Sequence, residues 1–335
     1  MHMLSPKAKF PPLGEFRFVE SILDKSASME ARPPRYREWL PVGDDAAIFD
    51  GWLATKDLSV ENVHFRMDWS TPEQAVEKHI VSNVSDISAM GGVPRMALLG
   101  VCLNKSWDAP MRSRISAALA DGFAKRGIAL IGGDTVAGDA TVFSTTLLGE
   151  MASEKPLLRS AACPGDGVYV TGTLGKSAAG LWLLMNHPEE ASRFARLVEY
   201  HLCPKIKESA GAELARLGGC NACMDISDGL SSELNHLALS SGVSMEIDLE
   251  KLPIDPDVLE MADFFNISAL DLTLNGGEEY NLLFSFADTK SILLNDNEHL
   301  GTVSRIGTVL AGSGVFGLGP EGKRNLLKAQ AWSHI

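Results

Sequence analysis

Residues 42–49 read VGDDAAIF, which places two adjacent aspartates, Asp44 and Asp45, between a glycine and an apolar run. The apolar run has the composition of a β-strand, so we expect one of the two carboxylates to face the interior. Burying an ionised carboxylate is costly unless a cation meets it. The motif therefore predicts a cationic partner for this pair.

Four further segments carry aspartates beside glycine, serine or an apolar run. They contain Asp57 in ATKDLSVENVHF, Asp86 in VSDISAMGG, Asp134 in LIGGDT, and both Asp225 and Asp228 in MDISDGL. For any one of them a helix cap or a turn is the ordinary interpretation. As a set at the ends of several elements, they suit oxygen ligands for hard cations, and Mg²⁺ takes carboxylates while keeping room for phosphate oxygens. We therefore predict Mg²⁺ bound by this set.

Two glycine pairs complement the aspartates. Gly132-Gly133 and Gly276-Gly277 are predicted to form turns that let the backbone approach a ligand closely, and their N–H groups are candidates to hold phosphates. Each pair on its own is also typical of a plain turn.

Composition limits the possible partners. The 335 residues are enough for two domains, and the formal net charge is -13. That charge argues against non-specific binding to nucleic acid or to an anionic membrane, since both need a basic face. The N-terminus lacks the shape of a signal peptide, and the five cysteines are scattered and odd in number. We therefore expect a cytoplasmic protein.

Strand-like and helix-like segments alternate through both halves, which predicts the α/β class. Helical spacing occupies residues 71–90 and 110–127, and strand-like runs occupy 51–55, 95–103, 128–135 and 141–151. A polar, proline-containing break at 152–166 precedes a new apolar strand. We place the boundary there, giving domains 1–152 and 153–335.

Two motifs look functional but fit poorly. GTLGKSAAG at 172–180 resembles a phosphate-binding loop, but Val170 occupies the position where that pattern requires its first glycine. Cys220 and Cys223 form a single Cys-x-x-Cys without a second pair at ligand spacing. We interpret the first as a strand-to-helix turn and the second as two ordinary cysteines.

Seven motifs occur in one order: GDDAA, D-x-x-V-E-x-V-H-F, VSDISAMGG, LIGGDT, PGD-x-VYVTGTLG, DISDGL and NGGEEY. Together they resemble the thiamine-monophosphate kinase family, within the superfamily that also holds aminoimidazole ribonucleotide synthetase and selenophosphate synthetase. The resemblance implies a two-domain α/β fold of α+β layers. It implies that the N-terminal domain binds ATP and Mg²⁺ and that the sheet of this domain pairs with its copy across a homodimer. The C-terminal α/β layer domain completes the nucleotide and substrate cleft.

The implied reaction transfers the γ-phosphate of ATP in line onto thiamine monophosphate, giving thiamine diphosphate with the help of several Mg²⁺ ions. The acceptor oxygen is already anionic, so metal ions and positioning supply most of the catalysis and no catalytic side chain is assigned. The resemblance implies as metal ligands Asp45, Thr55, Asp57, Asp86, Asp134, Asp225 and Asp228. It implies as ATP contacts Gly133, Asp134, Arg159 and Ser227. It implies as substrate contacts His64, Glu278 and Trp332.

Three residues depart from the family pattern. Lys56 replaces a small hydroxyl residue, and it either removes one oxygen ligand or places an ammonium where a cation would bind. Glu279 stands where aspartate is usual, and Asn281 replaces an acidic residue. Two alternatives stay open, another ATP-dependent enzyme resembling aminoimidazole ribonucleotide synthetase and a non-catalytic nucleotide-binding homologue.

Overall fold

The computed structural model of the chain describes residues 39–40, 43–295 and 297–330. Within these ranges the first part of the chain forms a six-stranded sheet ordered β1-β2-β3-β6-β4-β5, in which only the β4–β5 pair is parallel. Its strands are β1 (Trp39–Leu40), β2 (Ala47–Phe49), β3 (Trp52–Val60), β4 (Gly92–Asn104), β5 (Ala129–Gly138) and β6 (Val142–Met151).

Helix α1 (Pro72–Ala89) covers one face of this sheet, here called the inner face, with α2 (Ala109–Ala124) beside it. Thr71 begins α1 in a complete capping box, because its hydroxyl accepts from the Gln74 N–H at 3.2 Å while the Gln74 side chain accepts from the Thr71 N–H at 2.9 Å. Most residues of this helix are buried, so it packs against its neighbours on more than one side. This confirms the helix predicted at 71–90.

The second sheet contains seven strands among the residues described, ordered β13-β12-β9-β11-β7-β10-β8. Its strands are β7 (Gly167–Thr171), β8 (Cys220–Asp225), β9 (Ser244–Asp248), β10 (Leu282–Phe286), β11 (Val303–Leu310), β12 (Gly314–Leu318) and β13 (Arg324–Leu326). Strands β7 and β10 are buried throughout, because apolar clusters lie on both faces of the sheet. The predicted α/β class is confirmed.

Six helices accompany the second sheet in the described part of the chain. They are α3 (Lys176–Asn186), α4 (Ala195–Leu202), α5 (Ala210–Leu217), α6 (Leu230–Ser241), α7 (Pro256–Phe265) and α8 (Ala269–Asn275). None of the helices described over 39–40, 43–295 and 297–330 is long and apolar enough to cross a membrane.

The glycine turn predicted at Gly132-Gly133 is wrong, because both residues lie inside β5. A side chain at Gly133 would place its Cβ 2.0 Å from the Leu99 carbonyl oxygen, so the glycine serves the close approach of β5 to β4. The register of these two strands shifts between Ala97 and Leu98, next to this contact. The glycine pair in the sequence therefore reflects the close packing of two strands and not a turn.

Helix α1 also joins the two sheets. The Ser85 hydroxyl donates to Asp225 Oδ2, at the end of β8, at 2.5 Å. The Ser88 hydroxyl accepts from the Gly211 N–H at 3.2 Å, and a Cβ at Gly211 would lie 1.6 Å from the Ser88 carbonyl oxygen. Because α5 approaches α1 this closely, the end of α1 is fixed between the two halves of the chain.

Candidate active site

Three carboxylates from three separate elements meet where the two halves join. They belong to Asp45, just before β2, to Asp86, in the last turn of α1, and to Asp225, the last residue of β8. One oxygen from each lies within 4.8 Å of the other two. We call Asp45, Asp86 and Asp225 the acidic cluster.

Burial and mutual repulsion destabilise the charged forms of these carboxylates. Burial, followed by the charges of Asp57 and Asp225, raises the pKa of Asp86 well above its usual range. Burial, followed by the charge of Asp45, raises the pKa of Asp225 to about 8. Asp45 Oδ2 is buried and has no hydrogen-bond partner among the described residues. An orphaned oxygen beside two repelling carboxylates fits a divalent cation, because its charge would turn the repulsion into attraction.

Strand β3 supplies two more of the predicted ligands on the inner face. The Thr55 hydroxyl donates to Asp86 Oδ2 at 2.5 Å. Asp57 lies two residues along, hydrogen-bonds the Ser82 side chain on α1, and has a pKa that burial raises. Alternation along a strand puts Thr55 and Asp57 on one face, so five of the seven predicted metal ligands converge.

Arg159 is the cation that meets the opening aspartates. Its guanidinium pairs with Asp45 Oδ1, and its backbone N–H donates to Asp44 Oδ2 at 3.1 Å. Asp44 Oδ1 also accepts from the Asp45 N–H at 3.1 Å, so Asp44 orients the loop. Burial, then the charge of Asp45, raises the pKa of Asp44 to about 7.

Lys56 and Asp134 lie on the opposite, outer face of the first sheet. Residues opposite each other on neighbouring strands point to the same face of a sheet. Asp134 lies opposite Gly100, Gly100 opposite Ser144, and Ser144 opposite Leu58. Leu58 directly follows Asp57 on β3, so Asp134 and Asp57 point to opposite faces. Lys56 donates to the Ser144 hydroxyl at 2.6 Å. Its ammonium therefore lies away from the acidic cluster, and the expectation that it takes a cation position there is wrong. Within one chain Asp134 also lies apart from the cluster.

The NGGEEY segment packs tightly on the loop after β8. The Glu278 N–H donates to the Ser227 carbonyl at 2.6 Å, and the Tyr280 N–H donates to the Ile226 carbonyl at 2.8 Å. Both donors have positive φ, 59° and 55°, which is a strained backbone for non-glycine residues. A Cβ at Gly277 would lie 2.4 Å from the Ser227 carbonyl oxygen, so this position needs glycine for the close packing of the two loops.

A buried lysine that the sequence analysis missed, Lys78, connects two of the predicted substrate residues. Its ammonium donates to Glu278 Oε2 at 2.7 Å and to the His64 carbonyl at 3.2 Å. Burial acts to raise the pKa of Glu278, but the charge of Lys78 and its hydrogen bond outweigh burial, so the pKa is lowered. Lys78, Ser82, Ser85 and Asp86 recur at helical spacing on α1, and this polar stripe is the sequence signal that would have found the lysine.

Glu279 contacts the segment GTLGKSAAG at the start of α3. Its carboxylate accepts from the Ser177 N–H at 2.9 Å, in the first turn of α3. Burial raises the pKa of Glu279 to about 7. Asn281 donates to the Thr173 carbonyl at 3.1 Å, which ties the same two segments together. Glu279 and Asn281, which both depart from the family pattern, are therefore each held by a hydrogen bond within the protein.

The remaining predicted residues lie around this site or outside the described chain. The Asp228 N–H donates to Glu233 Oε1 at 2.8 Å in the loop between β8 and α6, and Ser227 precedes it. Trp332 lies outside the described residues. Cys220 and Cys223 are free thiols on β8.

Comparisons with known proteins agree with this architecture. The family "AIR synthase related protein, N-terminal domain" matches residues 43–151, and "AIR synthase related protein, C-terminal domain" matches 163–318. A thiamine-monophosphate kinase of Aquifex aeolicus is 32% identical over 328 residues, which are 96% of this chain and 98% of that relative. One of Methanopyrus kandleri is 39% identical over 245 residues, 72% of this chain and 75% of the relative.

A solved structure agrees in fold over the whole length. It is described as "AaThiL complexed with AMPPCP and TMP", and it superposes with a TM-score of 0.82 at 32% identity, covering 99% of this chain and 100% of that chain. Both domain matches, the extended sequence identity and the superposition point to one assignment. The chain belongs to the AIR synthase related proteins and, among them, to the thiamine-monophosphate kinase family.

Proposed function

We propose that this protein transfers the γ-phosphate of ATP to thiamine monophosphate and so forms thiamine diphosphate. The observation that carries the proposal is the acidic cluster, three carboxylates with oxygens within 4.8 Å of one another. One of them, Asp86, lies on the same helix as Lys78, whose ammonium pairs with Glu278. Related chains with this fold bear the name thiamine-monophosphate kinase, and one was solved with AMPPCP and TMP. Carboxylates for metal ions beside a buried cation suit a reaction between two polyanions.

The acidic cluster is proposed to hold Mg²⁺, together with Thr55 and Asp57. When bound there, Mg²⁺ would neutralise phosphate charge and orient the transferring group. The chain's own residues fix the ligands beforehand, because Thr55 donates to Asp86 and Ser85 donates to Asp225, both at 2.5 Å. The two further metal ligands proposed from the family resemblance are Asp134 and Asp228.

Substrate contacts are proposed on both sides of the cluster. Arg159 would pass from Asp45 to the phosphates of ATP once a metal ion neutralises that carboxylate. The other ATP contacts proposed are Gly133, Asp134 and Ser227. The thiamine substrate would contact His64 and Glu278, with Trp332 proposed as a third contact.

A homodimer is proposed through the outer face of the first sheet. Among the described residues β5 ends the sheet order, and large apolar side chains on β5 and on other strands of the sheet are about half exposed, including Val136 at 55% and Leu58, on β3, at 52%. An exposed edge with apolar side chains is a surface that pairs with a second copy. Such pairing would also place Asp134 of one copy close to the second copy. Sedimentation should give twice the 36.0 kDa chain mass, and Val136→Lys should shift it toward one chain.

We propose a domain boundary between residues 152 and 153 and a cytoplasmic location. The break falls between the last strand of the first sheet, which ends at Met151, and the first strand of the second, which begins at Gly167. Five free cysteines suit a reducing compartment.

The test is chromatography of wild-type protein incubated with ATP and thiamine monophosphate, with and without Mg²⁺. Thiamine diphosphate and ADP in equal amounts, only with Mg²⁺, is the expected result. ATP binding by calorimetry without this product would overturn the proposal. It would favour another substrate of the superfamily or a non-catalytic homologue.

A further inference from the structure

Lys78 is a buried lysine, and lysine side chains are rarely buried unless an acidic partner or a ligand neutralises their charge. Its side chain is 7% exposed, whereas that of Glu278, its partner, is 26% exposed. Two of the three ammonium N–H groups donate to Glu278 Oε2 and the His64 carbonyl. Among the described residues these two are the hydrogen bonds that the ammonium makes. A buried ion pair contributes little net stability, so its retention calls for another reason.

The position of Lys78 on α1 points to phosphate. It lies eight residues before Asp86, about 12 Å along the helix axis, with Ser82 and Ser85 between them on the same face. The far end of this stripe is the acidic cluster, where the donor phosphates would be held. An anion at Lys78 would therefore lie on the helix face that leads to the donor.

We propose that the Lys78–Glu278 pair recognises a zwitterionic acceptor by exchanging partners with it. The ammonium of Lys78 leaves Glu278 and binds the acceptor monophosphate, while the Glu278 carboxylate faces the positively charged thiazolium ring. This inference rests on the proposed function and adds a substrate-binding residue that the family resemblance did not supply.

The exchange accounts for the charges without leaving one unpaired. Two ionic contacts with the ligand replace one contact within the protein, and the Lys78 side chain is already largely removed from water. Unphosphorylated thiamine offers only the cation, so Lys78 would lose Glu278 and gain nothing. A buried group left unpaired in this way discriminates strongly against the incomplete ligand. His201, with Nδ1 3.6 Å from Glu278 Oε2, does not compete for the carboxylate, because burial and then Lys78 lower its pKa to about 3.

The experiment is calorimetry and steady-state kinetics on Lys78→Met, with Lys105→Met as the matched control. Lys105 is an exposed lysine in a surface ion pair with Asp139, so its replacement should change nothing. Lys78→Met should weaken thiamine monophosphate binding by about 100-fold, with ATP binding changed less than threefold. Its affinity for thiamine should stay at or above the wild-type value.

Two further variants separate recognition from support of the fold. Lys78→Arg keeps the positive charge and should recover part of the lost affinity. The double variant Lys78→Met/Glu278→Met replaces the pair by apolar side chains and should fold, with a thermal midpoint near that of the wild type, yet remain unable to bind the phosphorylated substrate. A double variant with restored binding would make the pair structural and overturn the inference.

The outcomes also separate this inference from the proposed function. A wild-type protein that forms no thiamine diphosphate refutes the function. A wild-type protein that forms it, together with a Lys78→Met variant of unchanged affinity for thiamine monophosphate, refutes only the role of Lys78. Equal losses for thiamine and its monophosphate in that variant would refute it as well, because phosphate would not be the group bound.

Discussion

Two basic side chains of the site, Arg159 and Lys78, are each held by a carboxylate that also belongs to the site. Arg159 pairs with Asp45 and Lys78 with Glu278, so neither cation is lost to solvent or to a distant surface. These ion pairs hold the two basic side chains in place before substrate binds, so that each could bind a phosphate after only a small movement. The arrangement explains how a protein of net charge -13 can accept two anionic substrates.

Asp86→Asn is expected to separate activity from stability. It removes an ionisable carboxylate from the acidic cluster, where burial and mutual repulsion disfavour the charged forms. The thermal midpoint without Mg²⁺ should therefore equal or exceed that of the wild type. Turnover should fall by about 1000-fold, and the rise of the midpoint on adding Mg²⁺ should disappear.

Asp68→Asn is the control for that experiment, because Asp68 is exposed and pairs with Arg66, which is exposed as well. It should retain both turnover and the Mg²⁺-induced shift. Near wild-type turnover in Asp86→Asn would remove Asp86 from the metal ligands.

His79 gives a prediction on pH that is independent of the metal site. It is fully buried between the Ser59 and Thr145 hydroxyls, at 2.9 and 2.8 Å, and burial lowers its pKa to about 3. Because the folded pKa lies below the unfolded value of 6.5, its stabilising contribution is present above pH 6.5 and is lost as the pH falls toward 3. At pH 5 the loss amounts to about 2 kcal/mol.

His79→Gln cannot take up this proton, so its stability should fall less between pH 7 and pH 5. Urea unfolding at both pH values should show the gap between wild type and variant narrowing by about 2 kcal/mol. Parallel pH profiles for the two proteins would show that His79 is not the group responsible.

At the scale of elements, some features follow from sequence and others depend on register. Helix α1 was predictable, since Thr71 and Gln74 mark its start and apolar spacing marks its length. The face on which Asp134 lies was not, because it depends on how β5 pairs with β4, and a register shift intervenes. The motifs pointed to a set of acidic residues, but only the cross-strand rows and the helix contacts show which of them converge.

Gly133→Ala tests the interpretation of β5 as a closely packed strand. The added Cβ would meet the Leu99 carbonyl oxygen at 2.0 Å, and a backbone atom cannot move aside cheaply. The free energy of unfolding should fall by about 3 kcal/mol. Gly100→Ala in the adjacent strand is the control, because its Cβ would have ordinary contacts with Ser144 at 3.5 Å or more, and its cost should stay within about 0.5 kcal/mol. Equal effects would contradict the close approach.

At the scale of the whole molecule, α1 and the segment after α2 hold the two halves of the chain together. Lys78 and Ser85 on α1 contact residues of the second half, Glu278 and Asp225. Arg126, just beyond α2, adds a further link. The proposed cleft therefore depends on contacts that neither domain can make alone.

Arg126→Met should loosen this junction. The guanidinium is 6% exposed and binds Glu208 of the second half at 2.7 Å and Glu77 on α1 at 2.7 Å. Removing it leaves two carboxylates without their principal cation, at an expected cost of about 3 kcal/mol in the free energy of unfolding. Because the acidic cluster takes Asp225 from one half and Asp86 from the other, the Mg²⁺ concentration needed for half-maximal activity should also rise.

Lys125→Met provides the matched comparison, since Lys125 also binds Glu77 at 2.7 Å but is 55% exposed and does not reach the second half. Its loss should cost less than about 1 kcal/mol and leave the Mg²⁺ requirement unchanged. If both variants lost the same stability, the effect would lie in the charge of Glu77. If Arg126→Met lost stability without any change in the Mg²⁺ requirement, the two halves would be held in register by α1 alone, through its contacts at Ser85 and Ser88.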